Sequence, residues 1–236
     1  MNRLILILLV SVSMAACDAA TMQKVLDGAS SFIDLSEGDI ANGLKEALDE
    51  GVDTAVKNLA KENGFYKSAY KILLPEEAQK VTDKLRIIPG FGDLEENMIL
   101  KINKAAEDAA GKATPIFVNA IKSMTINDAM DILMGSKDAA TQYLHRNTYN
   151  GLYGEFKPVL ENSLNKFGAL DLWTKAITKY NSLPLVSDIN PDLSDHINSK
   201  ALDGLFTLIE KKELGIRTDI SQRNSELLRR VFAKQD

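Results

Sequence analysis

Residues 36–59 read SEGDIANGLKEALDEGVDTAVKNL and predict a long amphipathic α-helix. Apolar side chains recur there every three or four positions, which places them on one helix face. The apolar positions are Ile40, Leu44, Leu48, Val52, Val56 and Leu59, and Ala47 and Ala55 widen the stripe. Ser36 and Asp39 form a capping box at the start, and Asn63-Gly64 marks the end.

Similar spacing continues along most of the chain, with prolines and glycines at the breaks. Helices are predicted to start at Pro75, Pro115 and Ser136, and to cover about Leu94–Lys112, Thr125–Gly135, Leu152–Phe167, Leu170–Tyr180, Leu193–Leu214 and Ser221–Ala233. No stretch alternates as a half-buried β-strand does. We therefore predict an all-α fold, a compact assembly of roughly nine or ten helices with short connections, in a single domain over residues 35–236.

The composition agrees with a globular helical protein and disfavours one class of partner. The 236 residues are 45% hydrophobic and 26% charged but only 6% aromatic. A chain of this length can bury a sizeable core without a metal or a disulfide. Its formal net charge is −5 at pH 7, and an acidic protein repels phosphate backbones. We expect no nucleic-acid partner.

The N-terminal residues predict export. The short basic start Met1–Arg3 precedes the apolar run Leu4–Val12. The small residues Ala15 and Ala16 follow. This order is typical of a signal peptide, here residues 1–16, and its apolar run is too short to span a bilayer as a stable helix.

Cys17 follows this leader and is the only cysteine of the chain. The run Ser13–Cys17 resembles a lipobox, in which the cysteine is acylated, although Met14 stands where leucine is usual. Ordinary cleavage after Ala15 is the alternative. We predict lipidation of Cys17, a tether over residues 17–34, and a membrane-anchored location on the periplasmic side of the cell envelope. The choice between inner and outer membrane stays open.

Neither metal binding nor catalysis is predicted. His145 and His196 are the two histidines and do not fall at metal-ligand spacing, so we expect no metal and no other cofactor. Asp138, Thr141 and His145 share one helix face, but a catalytic triad needs side chains that converge from different elements. We interpret the row as a surface near a helix start and assign no catalytic residue.

Eight large apolar side chains have two possible roles. Such residues usually form a core, but they can also line a pocket between helices that holds an apolar ligand. They are Phe117, Met124, Met130, Met134, Phe156, Phe167, Trp173 and Phe206. A carrier would have an enclosed apolar cavity of roughly 300 Å3 or more.

Short segments spread over most of the chain carry a family resemblance. They are Leu35-Ser36, Asp39-Ile40, Gly43–Leu48, Asn103–Glu107, Met124-Thr125, Asp128-Ala129, Ile132-Leu133, Asp138–Thr141 with Tyr143, Ala201–Phe206, Ile216-Arg217 and Leu227-Leu228. With these segments the chain resembles the bacterial domain-of-unknown-function 4197 family of lipoproteins and secreted envelope proteins. The chain departs from the family pattern at Ile220 and Asn224-Ser225. The resemblance implies an all-α fold and export, and it supplies no activity.

The polar residues of these segments are open to two interpretations. They are Asp128, Asp138, Thr141, Asp203 and Arg217. The favoured interpretation makes them helix caps and buried polar anchors. The other makes them a shared polar site.

Three functions follow from these observations. The first is a non-enzymatic envelope lipoprotein that binds a partner protein or helps to assemble a complex. The second is a carrier or sensor of an apolar ligand held between helices. The third is an enzyme of unfamiliar type that uses Asp128, Asp138, Thr141 and Arg217. A binding module should expose an apolar or aromatic patch, whereas an enzyme should gather carboxylates of raised pKa in a cleft.

Overall fold

Nine α-helices form within residues 35–127 and 129–236, which are the residues that this computed structural model describes. They are α1 (Glu37–Leu59), α2 (Glu76–Leu85), α3 (Leu94–Ala110), α4 (Thr114–Ser123), α5 (Ala129–Leu133), α6 (Ala139–Lys166), α7 (Ala169–Asn181), α8 (Leu193–Thr218) and α9 (Glu226–Phe232). These two ranges contain no β-strand, so the all-α prediction is confirmed. The predicted signal peptide and tether, residues 1–34, lie outside them.

Helices α1 and α8 form the most extensive helix–helix contact of the fold. The predicted stripe of α1 supplies this contact, and Leu44 and Leu48 are fully buried. Burial of one leucine side chain stabilises the folded state by about 1.5–3 kcal/mol. Gly51 lets the two helices approach closely, because a Cβ placed there would lie 2.9 Å from Cγ2 of Ile209 on α8.

Helix α6 packs against α8 and α3 as one continuous helix. The prediction of two helices, one capped by Ser136 and one over Leu152–Phe167, is therefore wrong. Pro158 lies inside α6 and removes one backbone donor, but Phe156 and Leu160 beside it are buried and hold that part of the helix in the core.

Helix α3 carries a row of four alanines that allow close packing. Ala105, Ala106, Ala109 and Ala110 are all fully buried. On another part of α3, the Asp108 carboxylate accepts hydrogen bonds from Ser163 (2.7 Å) and Lys166 (2.5 Å) of α6. Burial raises the pKa of Asp108, but hydrogen bonds from Lys112, Lys166 and Ser163 outweigh that effect and hold the pKa well below its ordinary value.

The connection between α1 and α2, residues 60–75, is fixed by two buried side chains of α3. The Asn103 carboxamide accepts from the Ile72 N–H at 2.9 Å and donates to the Ile72 carbonyl at 2.8 Å. The Glu107 carboxylate accepts from the N–H groups of Phe65 and Tyr66, each at 3.1 Å. Buried backbone groups need such partners, and these contacts hold the connection against the helices.

None of the helices in the described part of the chain is long and apolar enough to cross a membrane.

Two glycine-to-alanine substitutions should have opposite effects on the free energy of unfolding, one in the contact between α1 and α8 and one at an open position of α6. Helix propensity alone favours Ala over Gly by about 1 kcal/mol. Gly51→Ala should nevertheless lower the free energy of unfolding by about 1–3 kcal/mol, because the new Cβ would overlap Ile209. Gly151→Ala in α6 is the matched control, since nothing lies within 4 Å of its Cβ position. It should raise the free energy of unfolding by up to about 1 kcal/mol. Urea denaturation of both variants measures the difference, and equal stabilities would contradict the packing described.

Candidate functional site

Two of the polar residues singled out in the sequence, Thr141 and Arg217, meet at a third residue, Glu213. The Arg217 guanidinium forms an ion pair with the Glu213 carboxylate, with distances of 2.7 Å from Nη2 and 2.8 Å from Nε to Oε1. Both side chains are buried, with 2% and 1% of their surface exposed. Glu213 and Arg217 lie one helical turn apart on α8.

The Glu213 carboxylate caps the N-terminus of α6. It accepts hydrogen bonds from the backbone N–H of Ala140 (3.0 Å) and of Thr141 (2.7 Å). The Thr141 hydroxyl donates to the same carboxylate at 2.6 Å. The first N–H groups of a helix have no partner within the helix, and the helix dipole favours a negative charge there. Glu213 therefore satisfies the start of α6 from another helix.

Arg217 makes the complementary contact at the end of α5. Its Nη1 donates to the Leu133 carbonyl at 2.6 Å and its Nη2 to the Ile132 carbonyl at 3.2 Å. The last carbonyls of a helix lack partners and carry partial negative charge. The Phe232 ring of α9 lies 5.6 Å from the guanidinium carbon. One ion pair thus joins the end of α5, the start of α6 and α8.

Glu213 was not among the residues predicted from the sequence. An acidic side chain four residues before Arg217, on the helix face that carries Ile209 and Ile216, is the pattern that indicates it. An acid on an apolar stripe is rarely buried unless it is paired. That pattern predicts a buried pair, although not the two helix ends that it joins.

A cleft lies between α6 and α8, where Thr141 is part of its lining, and we call it the groove. The groove has a volume of about 590 Å3 and opens to solvent. Its lining residues are Asp138, Thr141, Gln142, His145, Arg146, Asp203, Phe206, Thr207 and Glu210. Thr141 and Phe206 are almost fully buried and form its floor, whereas Asp203 and Glu210 are exposed and Asp138 is half-buried at its rim.

The groove brings together three of the five polar residues singled out in the sequence. Asp138, Thr141 and Asp203 line it, and Arg217 lies buried nearby, where Glu213 links it to Thr141. Asp128 lies outside the described residues.

Asp138, rather than Ser136, occupies the N-cap position of α6. The hydrogen bond from the Ser136 hydroxyl to its carboxylate, at 2.6 Å, lowers the Asp138 pKa most, and the Gln142 amide at 2.6 Å lowers it further. The carboxylate is therefore ionised at neutral pH and contributes a fixed negative charge to the rim.

Aromatic rings lie beside these carboxylates. The His145 imidazole stacks on Tyr149 with ring centroids 4.5 Å apart, and it meets the edge of Phe206 at 4.8 Å. Phe117 contacts the Phe206 ring from the core side at 5.4 Å. The prediction that His145 is a surface residue is confirmed, and its ring forms part of the groove wall.

A second cleft lies on the other side of α8, beside residues 69–74, and Asp203 and Thr207 line both clefts. The second cleft has a volume of about 420 Å3. Its other lining residues are Ala69, Tyr70, Lys71, Ile72, Leu73, Leu74, Gln79, His196, Lys200 and Gly204. The His196 ring lies 3.0 Å from the Leu73 carbonyl, and the Leu73 side chain is 53% exposed.

The eight apolar side chains considered as a ligand pocket do not share one environment. Phe117 and Phe156 are 1% exposed, and they lie in the core with Trp173, which is 5% exposed. Phe206 lines the groove, and Met134 is 56% exposed at the surface. Among residues 35–127 and 129–236, no group of three metal-ligating side chains gathers closely enough to hold a metal ion.

Replacing the Glu213 carboxylate of the buried ion pair by a carboxamide of the same shape should greatly lower the free energy of unfolding. Glu213→Gln removes the charge that compensates Arg217 and turns an amide donor toward donors of α6, so the free energy of unfolding should fall by about 3–5 kcal/mol. The control is Asp53→Asn, which breaks the exposed pair between Asp53 and Lys57 of the same i,i+4 spacing. It should change stability by less than about 0.5 kcal/mol. Chemical denaturation measures both, and equal losses would contradict the structural role of the buried pair.

Comparison with known proteins gives a family but no activity. The model of a family described as "Protein of unknown function (DUF4197)" matches residues 34–233. No curated protein and no solved structure matches the chain. The match covers most of the chain and agrees with the resemblance found in its sequence, so this chain belongs to the DUF4197 family.

Proposed function

We propose that this chain is a lipid-anchored protein of the bacterial cell envelope that acts as a binding module, and that the groove between α6 and α8 is its binding surface. The observation that carries the proposal is the groove itself. Its floor contains the buried ring of Phe206 beneath a rim of charged side chains. A buried aromatic centre with a polar rim is typical of protein-binding surfaces.

The groove is backed by a rigid wall, which favours binding without rearrangement. Thr141 on its floor is held by two hydrogen bonds to Glu213, and Glu213 is held by Arg217. A preorganised surface loses little conformational entropy when a partner binds. The buried ion pair therefore supports the proposal because it fixes the start of α6, which forms one wall of the groove.

The anchor is proposed from the sequence alone. Cys17 is the only cysteine, and it follows an apolar run and two small residues. A single acyl chain gives reversible membrane binding, whereas several give lasting attachment. A protein held at a membrane in this way is suited to recruit or assemble partners along that surface.

The positions of the polar residues favour binding over catalysis. The Thr141 hydroxyl donates to Glu213, and the Arg217 guanidinium donates to Glu213, Leu133 and Ile132. These groups act on helix ends, and the His145 ring is stacked on Tyr149. The groove is also open to solvent and charged at its rim, which suits a polypeptide better than an apolar ligand.

Photo-crosslinking in cells tests the proposal. A photoreactive amino acid replaces Thr207, which lines the groove, in the full chain expressed in a bacterial host. After irradiation, we expect a crosslinked protein adduct in the membrane fraction. The same substitution at Gly154, an exposed position of α6 with open space around its Cβ, is the control and should give no adduct.

The anchor is tested in the same cells. With Cys17→Ser, incorporation of a labelled fatty acid should be lost and the protein should move from the membrane fraction to the soluble periplasmic fraction. Equal crosslinking at positions 207 and 154 would contradict the binding surface. An unlabelled parent chain, or one found in the cytosol with residues 1–16 attached, would contradict the anchor.

A further inference from the structure

Lysines gather on one surface of this acidic chain, at the connection between α1 and α2. The formal net charge of the chain is −5, yet residues 60–75 contain three lysines and one acidic residue, Glu62. Lys61 and Lys67 line one cleft together with Tyr70. The Tyr70 hydroxyl accepts a hydrogen bond at 2.6 Å from the ammonium group of Lys211 on α8. We define the basic surface as Lys61, Lys67, Lys71 and Lys211 together with Tyr66, Tyr70 and Leu73.

The positive charge of the basic surface is accessible and largely uncompensated. All four of its lysines are exposed, and none of them forms an ion pair among the residues that the structure describes. The Asp203 carboxylate of the neighbouring cleft lies 3.4 Å from Lys200, which balances its charge. Glu107 lies beneath the connection and is only 7% exposed. Glu62 therefore leaves an excess of positive charge, which favours an anionic partner.

An apolar side chain lies on the same outward side as one of these lysines. Residues 71–75 have no helical structure, and their side chains alternate in exposure. Ile72 and Leu74 are each 2% exposed, whereas Leu73 is 53% exposed and Lys71 is also exposed. An extended backbone directs successive side chains to opposite sides. Lys71 and Leu73 therefore point outward together.

Two tyrosine rings lie beside the ammonium groups. The Lys71 ammonium is 4.5 Å from the centroid of the Tyr66 ring, and the Lys211 ammonium is 5.1 Å from that of Tyr70. Both tyrosines are half-buried. Tyrosine is enriched at the level of lipid headgroups, because its ring is apolar and its hydroxyl is polar. Lysine places its ammonium group at that level while its methylene groups cover apolar surface.

The chain that precedes the described residues is long enough to place the basic surface and Cys17 at one membrane. Residues 18–34 span at most about 60 Å when fully extended. The basic surface begins just after α1, which is about 35 Å long. An acyl group on Cys17 and the basic surface can therefore contact the same bilayer.

We infer that the basic surface lies against the anionic phospholipid headgroups of the membrane that carries the proposed lipid anchor. The four ammonium groups contact lipid phosphates. Leu73 and the two tyrosine rings contact the boundary between headgroups and acyl chains. This inference rests on the proposed membrane location and adds to it the side of the protein that faces the lipid.

Vesicle binding tests the inference on the full chain with Cys17→Ser, so that no acyl chain contributes. Co-sedimentation compares vesicles of phosphatidylcholine alone with vesicles of phosphatidylcholine and phosphatidylglycerol in equal amounts. Binding to the anionic vesicles should be stronger by about tenfold or more, and higher salt should weaken it, since the lysines are exposed. Each lysine near an anionic membrane strengthens binding about fivefold. Lys67→Gln combined with Lys71→Gln should therefore weaken binding about twentyfold.

The matched control is Lys175→Gln combined with Lys179→Gln, two lysines at the same spacing on α7. That helix packs mainly on α2, α3 and α6. The control should change vesicle binding less than about twofold, and thermal unfolding should be similar for the two double variants. The inference would be overturned by absent binding, by equal binding to both kinds of vesicle, or by equal losses in the two double variants.

A photoreactive amino acid at Ala69 separates a membrane from an acidic protein as the partner. Ala69 is exposed and lines the same cleft as Tyr70, Lys71 and Leu73. In cells it should crosslink to lipid, and a protein adduct there would also overturn the inference. Neither the acyl chain nor the groove takes part in the vesicle experiment. Its failure therefore removes only the membrane contact, whereas fatty-acid labelling and crosslinking at Thr207 decide the proposed function.

Discussion

The ion pair between Glu213 and Arg217 is the contact on which the arrangement of α5, α6 and α8 depends. Two charges removed from water are stable only if further hydrogen bonds compensate them. Here both are compensated by helix ends, since Glu213 takes the N–H groups at the start of α6 and Arg217 takes the carbonyls at the end of α5. Each charge has the sign that the dipole of its helix end favours.

This arrangement connects the core of the protein to its surface. The α8 face that carries Glu213 and Ile209 packs into the core against α1 and α6. Glu210 on the same helix is exposed at the rim of the groove. The pair fixes where α6 begins, and the first turns of α6 carry Asp138, Thr141 and His145 into the groove wall. A partner in the groove therefore contacts side chains whose backbone is held by buried hydrogen bonds.

The periodicity of the sequence predicts most helices correctly, because each buries one apolar stripe against its neighbours. It is wrong where packing overrides a local signal. Helix α6 continues through the predicted break before Leu152, since Leu144, Leu152 and Phe156 along it are all buried. Ser136 is not the cap, because Asp138 occupies that position and receives the Ser136 hydrogen bond.

The site could be predicted only in part. Asp138, Thr141 and Asp203 stand out as polar residues in the sequence, and all three line the groove. The groove itself depends on contacts between distant parts of the chain, and local spacing does not determine such contacts. Gln142 and Glu210, for example, lie far apart in the sequence and both line it. Glu213 has a recognisable i,i+4 partner in Arg217, but the helix ends that satisfy the pair cannot be read from that spacing.

Backbone hydrogen exchange of Ala140 and Thr141, followed by NMR, tests the role of the ion pair most directly. The first amides of a helix have no acceptor within the helix and normally exchange quickly. Because both amides donate to the buried Glu213 carboxylate, they should exchange as slowly as amides in the buried middle of α8. Exchange of these two amides at the rate of an ordinary exposed helix start would contradict the account.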